Sequence, residues 1–200
     1  MRWACLGMMV LSRGAGLPCR HQRRDVDLGH AEQVDCALRG GQLPDSRLPA
    51  RRVGHLRVAL CAAPHYIAQH GLPSTPEDLA HHHQIGFVLA STGKVRPVTL
   101  SREGRKLAVD VPARFVTTDS AAALSAGLDG LGIIVLAEFV ASHYLASGAL
   151  VRVLPGWQCP SLPLHLVTPT IRKRAARVQA FMDWAHALLL RRLGSQLDTR

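Results

Sequence analysis

One stretch constrains the fold more than any other: residues 116–157, VTTDSAAALSAGLDGLGIIVLAEFVASHYLASGALVRVLPGW. It reads as strand, helix, strand, helix, strand. Thr117, Thr118 and Asp119 place side-chain oxygens just before an Ala/Leu run, where the first N–H groups of a helix need acceptors. Leu124 and Leu128 lie four apart and share a face. Gly130 and Gly132 end that helix and turn the chain. Residues 133–136 are a short, β-branched-rich run that suits a strand buried on both faces. Residues 138–145 are helical again, Gly148 stops them, and 150–153 form another buried strand. Alternation of this kind predicts an α/β fold with a parallel sheet covered by helices.

The rest of the chain continues the alternation. Strands are expected at 34–38, 56–62, 85–89, 113–117 and 164–167, with a helical turn at 65–69 stopped by Gly71. Ser74, Thr75, Pro76, Glu77 and Asp78 spell a helix start, with cap, proline and first-turn acids in order. Residues 98–100 and 106–111 can pair as a hairpin around Glu103-Gly104. A last helix is expected over 176–193, with Val178, Phe181, Ala185 and Leu188 as its apolar face.

A hydrophobic fraction of 48% suits a packed domain rather than a disordered one. Aromatics make up 4%, too few for a stacking surface for single-stranded nucleic acid. The formal charge of +10 is spread out, with no run long enough to be a nucleic-acid arm. Five widely spaced cysteines with no CxxC pair argue against a disulfide framework or a zinc site and fit reduced thiols. Arg2, an apolar run to Leu11, and Gly14-Ala15-Gly16 outline a secretion signal, but Gly7 and Arg13 interrupt it. No segment approaches the ~20 apolar residues of a membrane span, so a cytoplasmic protein without membrane contact is expected.

Several motifs invite chemistry and fail on physical grounds. His81-His82-His83 would put adjacent rings on opposite faces of an extended chain, which disfavours convergence on one metal ion. GLDGLG at 127–132 has the glycines of a dinucleotide loop, but the helix precedes it and the strand follows, the reverse of what that loop needs. No GxSxG elbow, paired-carboxylate motif or phosphate-binding loop is present. The expectation is a protein that is not an enzyme, with no catalytic residue, no metal and no cofactor.

From about residue 25 to 193 the chain resembles the C-terminal effector-binding, or substrate-binding, domain of LysR-type transcriptional regulators. The segments that carry this are DVDLGHAEQVDCALRGGQLPDSRLPARRVG, LCAAPHYIAQHGLPSTPEDLAHH, GLDGLGIIVLAEFVASHYLASGALVRVLPGW and RVQAFMDWAHALL, in the family's order. Thr118 stands where the family usually has Asn, and Ala137 where it usually has Pro. The resemblance implies two Rossmann-like lobes, like those of periplasmic binding proteins, joined by crossover strands at 56–63 and 155–163. The expected division is a poorly ordered 1–24, a first lobe from 25–63 and 156–193, a second lobe over 64–155, and a tail at 194–200. No segment matches the family's DNA-binding helix-turn-helix. The chain is therefore expected to be a fragment with an incomplete first lobe and no sequence-specific DNA contact of its own. A free-standing solute-binding protein and a non-functional remnant are the alternatives.

The resemblance also implies a small-molecule effector, a carboxylate among the options, and allows a homodimer. In doubly wound folds ligands sit beyond the strands' C-terminal ends, where helix N-termini present donors. That rule selects Arg39-Gly40-Gly41, Ser91-Thr92 and Thr117-Thr118-Asp119. Pro64, which ends one strand, and Ile133, which opens another, complete the expected effector-binding set. Arg39 is the expected counter-charge for a carboxylate.

Overall fold

The computed structural model describes residues 9–12, 19–21, 34–43, 49–89, 92–168 and 176–198. In chain order the elements are β1 (Met9–Ser12), β2 (Cys19–His21), β3 (Val34–Gly40), β4 (Ala50–Leu56), β5 (Val58–Ala62), α1 (Pro64–His70), a 3-10 turn (Glu77–His81) and β6 (Gln84–Phe87). They continue with β7 (Val98–Arg102), β8 (Arg105–Val109), β9 (Ala113–Thr117), α2 (Ser120–Leu128), β10 (Ile134–Ala137), α3 (Glu138–Ala146) and β11 (Val151–Arg152). Last come β12 (Leu162–Val167), α4 (Ala176–Leu193), a 3-10 turn (Gly194–Gln196) and β13 (Leu197–Asp198). The chain divides into a larger unit built on Arg57–Ser161 and a smaller one built on Leu6–Leu56 and Leu162–Arg200. Among the described residues no helix is long and apolar enough to cross a membrane.

In the larger unit β6 and β9 pair in parallel, and a parallel bridge between Gln84 and Ile133 sets β6 beside β10. β5 lies between β10 and β11 and runs against both. The order is therefore β9-β6-β10-β5-β11, with β5 reversed among parallel neighbours. The sheet is thus mixed rather than wholly parallel. The core gathers Leu60, Cys61, Tyr66, Leu79, Leu100, Ile133, Leu150 and Val153, each at most 3% exposed. β7 and β8 form the expected hairpin, turned by Glu103 and Gly104 at φ 51° and 82°. GLDGLG works as punctuation. Gly130 turns the chain at φ +69°, and a Cβ on Gly132 would lie 2.6 Å from the His83 carbonyl oxygen.

In the smaller unit the strand order is β13-β4-β12-β3-β1-β2, and every pair is antiparallel. α4 covers one face. The Cys36 thiol on β3 donates to Met182 Sδ at 3.4 Å, and Arg51 Nη1 on β4 donates to Asp183 Oδ1 at 2.6 Å. Directly opposed residues of antiparallel strands share a face, so Leu166, opposite both Leu38 and Arg51, lies on this side too.

Four expectations change. The strand expected at 34–38 runs to Gly40, because Gly40 and Arg39 pair with Leu164 and His165 of β12. The single strand expected over 56–62 is two strands broken at Arg57, whose carbonyl accepts the Glu138 N–H at 2.8 Å. The buried line of α4 passes through Met182 and Ala185; Val178, Phe181 and Leu188 are half-buried. Finally, the segment expected as a tail contributes β13, with Leu197 buried opposite Leu56.

Candidate functional site

The parallel strands bring two of the expected loops to one end of the larger unit. Phe87, the last residue of β6, sits opposite Thr117, the last of β9, and the Val88 N–H donates to the Thr117 carbonyl at 2.9 Å. β6 then enters a tight turn. Gly93 N–H donates to Leu89 O at 2.8 Å, Gly93 takes φ +65°, and exposed Thr92 accepts the Lys94 N–H on Oγ1 at 3.3 Å. Ser91 lies outside the described residues. β9 passes directly into α2, so exposed Thr118 and half-buried Asp119 join the same end.

Asp119 has a structural task here. Its Oδ1 accepts the N–H groups of Ala121 and Ala122 at 2.7 and 3.3 Å, and its own N–H donates to Thr117 Oγ1 at 3.0 Å. A carboxylate thus already occupies the start of α2 and complements the helix dipole. An anionic ligand brought to the same spot would meet that charge. The helix start therefore suits a ligand hydroxyl or amide rather than a ligand carboxylate.

Arg96 brings a half-buried positive charge to this end. Its backbone N–H donates to Phe87 O at 2.8 Å, which holds it at the end of β6. The side chain is half-buried and close enough to Cys159 to act on it electrostatically. It makes no hydrogen bond or ion pair among the described residues, and burial lowers its pKa from the usual arginine value. By contrast, Glu138 at the start of α3 is satisfied: Arg152 donates to both of its carboxylate oxygens. Arg96 went unnoticed in the sequence because its neighbours, Val95 and Pro97, read as an ordinary loop.

The other expected residues lie elsewhere. Pro64 follows the C-terminal end of β5, and Ile133 precedes β10. Because β5 runs against β10, both sit at the opposite end of this sheet from Thr92 and Thr117. Ile133 is 2% exposed, and its N–H and carbonyl are bonded to His83 and Ile85. Pro64 is the first residue of α1. Neither side chain joins the strand-end group. Arg39, Gly40 and Gly41 belong to the smaller unit. Arg39 and Gly40 are strand residues, and Gly41 makes the turn at φ +103°, its N–H bonded to Pro163 O at 2.8 Å.

The triple histidine does structural work beside α1. Tyr66 is fully buried; its hydroxyl accepts the His83 N–H at 2.9 Å and lies 3.3 Å from His82 Nδ1. Having accepted that bond, the hydroxyl is placed to donate its own proton to Nδ1. His81, His82 and His83 are respectively exposed, buried and half-buried, and no cluster of metal-ligating type occurs among the described residues. Burial pushes the Cys61 thiol up to about 12 and Cys159 to about 11. Neither is a thiolate nucleophile at neutral pH.

The model of the LysR substrate binding domain matches residues 20–189. The chain belongs to the LysR substrate-binding domain family. It is 35% identical over 187 residues to the uncharacterized HTH-type transcriptional regulator YhjC of Escherichia coli K12, covering 88% of this chain and 58% of that protein. It is 30% identical over 166 residues to the HTH-type regulator CrgA of Neisseria meningitidis, covering 82% of this chain and 53% of CrgA. The CrgA regulatory domain superposes with a TM-score of 0.65 at 29% identity, covering 78% of this chain and 76% of that domain. The full-length Vibrio cholerae virulence activator AphB gives 0.64 at 25% identity, covering 84% and 56%. The chain thus spans about half the length of the curated relatives it matches. Those relatives are transcriptional regulators.

Proposed function

We propose that the chain is the effector-sensing part of a LysR-type transcriptional regulator, and that the polar strand end of its larger unit receives a small metabolite. The observation that carries this is Arg96, a half-buried guanidinium without a partner among the described residues, at the strand end that also holds Thr92, Thr117 and Thr118. A buried cation of this kind is stabilised by an incoming anion, and the neighbouring hydroxyls supply directional bonds. The effector class is a small carboxylate bearing a hydroxyl or amide group, its anionic end on Arg96 and its neutral polar end over Thr118. Arg39, the counter-charge expected from the sequence by the strand-end rule, is a separate candidate.

Calorimetric titration of a panel of small carboxylates tests this. Arg96→Gln is expected to weaken the best ligand by roughly tenfold to a hundredfold, the value of a charge-assisted bond. Thr118→Val weakens it less, and Arg39→Ala is run beside them. A ligand whose affinity survives both Arg96→Gln and Thr118→Val removes the strand end as the site. As part of a regulator the protein is proposed to act in the cytoplasm as a homodimer. Light scattering of the purified chain checks the second point, and a monomer at micromolar concentration overturns it.

A further inference from the structure

Three basic side chains meet at one register of the smaller unit's sheet. His165 on β12 stands opposite Arg39 on β3 and opposite Arg52 on β4. Directly opposed residues of antiparallel strands point to the same face. That face is the one α4 does not cover, since Arg51, the next residue on β4, reaches Asp183 of α4. Neighbouring strands lie roughly 4.8 Å apart, and Arg52 is close enough to the His165 imidazole to act on it electrostatically. His55, opposite Pro163 two residues further along β12, adds a second imidazole on this side.

Among the described residues the row has no anion bonded to it. Arg51 has a carboxylate at 2.6 Å, whereas neither Arg52 nor Arg39 makes a side-chain hydrogen bond or ion pair among the described residues. Nδ1 of His165 is buried with no hydrogen-bond partner among the described residues. Arg39 and His165 are half-buried, Arg52 is exposed, and Ala37 and Val167 beside them are fully buried. Two guanidiniums without a counter-ion among the described residues favour an oxyanion, and an unpaired buried polar atom is costly. An oxyanion over His165 would serve both.

We propose that Arg39, His165 and Arg52 form a binding site for a phosphate group, free or as a monoester. One basic side chain from each of three adjacent strands offers three donors in a row across the sheet. A tetrahedral oxyanion offers an oxygen to each, while a carboxylate offers two in one plane. The site uses residues of the smaller unit alone and stands whether or not an effector binds the larger one.

The test is calorimetric titration of the full chain at pH 7.5 and constant ionic strength with inorganic phosphate, glycerol phosphate and acetate. Ring-nitrogen NMR of His165 is followed in parallel. The expected result is saturable phosphate binding that shifts the His165 signals, with acetate markedly weaker. Tighter binding of glycerol phosphate would assign the site to a monoester, and tighter inorganic phosphate to the free ion. Arg52→Gln changes an exposed residue and should leave the fold intact while weakening phosphate by roughly tenfold or more. Arg39→Gln should do the same. Arg51→Gln, the same charge loss on the other face, should leave phosphate affinity unchanged. Absence of saturable binding in the wild type overturns the proposal. So does a phosphate affinity that falls equally in Arg51→Gln and Arg52→Gln, because that pattern is bulk charge rather than a site.

Discussion

The two units place the polar groups of their candidate sites in different parts of their sheets. In the larger unit Thr92, Arg96, Thr117 and Thr118 gather beyond the ends of parallel strands, while the sheet itself holds apolar residues such as Leu60 and Ile134. In the smaller unit Arg39, His165 and Arg52 lie across the middle of an antiparallel sheet, on the face away from α4. The difference follows from what covers each sheet. A parallel strand needs a helical crossover, so its faces are buried and only its ends remain for polar chemistry. An antiparallel sheet can pack a helix on one face and keep polar side chains on the other.

The largest expected effect asks whether the units are separate cooperative bodies. Leu164 is fully buried in the smaller unit, and Leu164→Ala should cost about 2–5 kcal/mol. Trp157 lies in the larger unit and Trp184 in the smaller, so each reports on one unit once the other tryptophans are replaced by Phe. Urea melts should show the Trp184 transition moving while the Trp157 transition stays. Coincident movement of both would make the molecule one cooperative unit. Tyr66→Phe is the reciprocal change. It strips the acceptor from the His83 N–H and should cost about 1–3 kcal/mol, seen through Trp157.

A smaller effect separates helix capping from ligand binding at the strand end. Asp119→Ala removes the acceptor of the Ala121 and Ala122 N–H groups and should cost about 1 kcal/mol by chemical denaturation. Asp119→Asn keeps an acceptor and should cost little. If Asp119→Asn abolishes effector binding without changing stability, the residue touches ligand and its role here must be redrawn.

The smallest effect is the pH response, to which each unit contributes a desolvated histidine. Burial, followed by the positive charge of His70, holds His82 below the usual 6.5. Burial, followed by Arg52 and His55, does the same to His165. Both are neutral in the fold at pH values where the unfolded chain binds a proton. Their contribution is therefore complete above 6.5 and is lost as pH falls through the depressed folded values. His82→Gln should flatten the acid dependence of the Trp157 transition and His165→Gln that of Trp184. Unchanged slopes in both would assign the acid response to other groups.

Much of the larger unit could be read directly from its residues. Side-chain oxygens before an Ala/Leu run define α2, Gly148 ends the α3 segment, and a short β-branched run is β10, because caps, turns and propensities act within a few residues of one another. The GLDGLG glycines were legible as turns for the same reason, and the family's order of segments located the whole domain. Pairing partners and direction were not local. Nothing near Pro64 or Ile133 reports that β5 runs against β10, yet that reversal puts both at the far end from Thr117. Arg39 looked like the first residue of a glycine turn until Leu164 and His165 drew it into a strand. The apolar line of α4 passes through Met182 rather than Phe181 because Cys36, 146 positions away, sits beneath it. Arg96 and the row of Arg39, His165 and Arg52 acquire meaning from what does not stand next to them. The absence of a counter-charge among the described residues is a property of the packed neighbourhood, and only the tertiary structure could decide it.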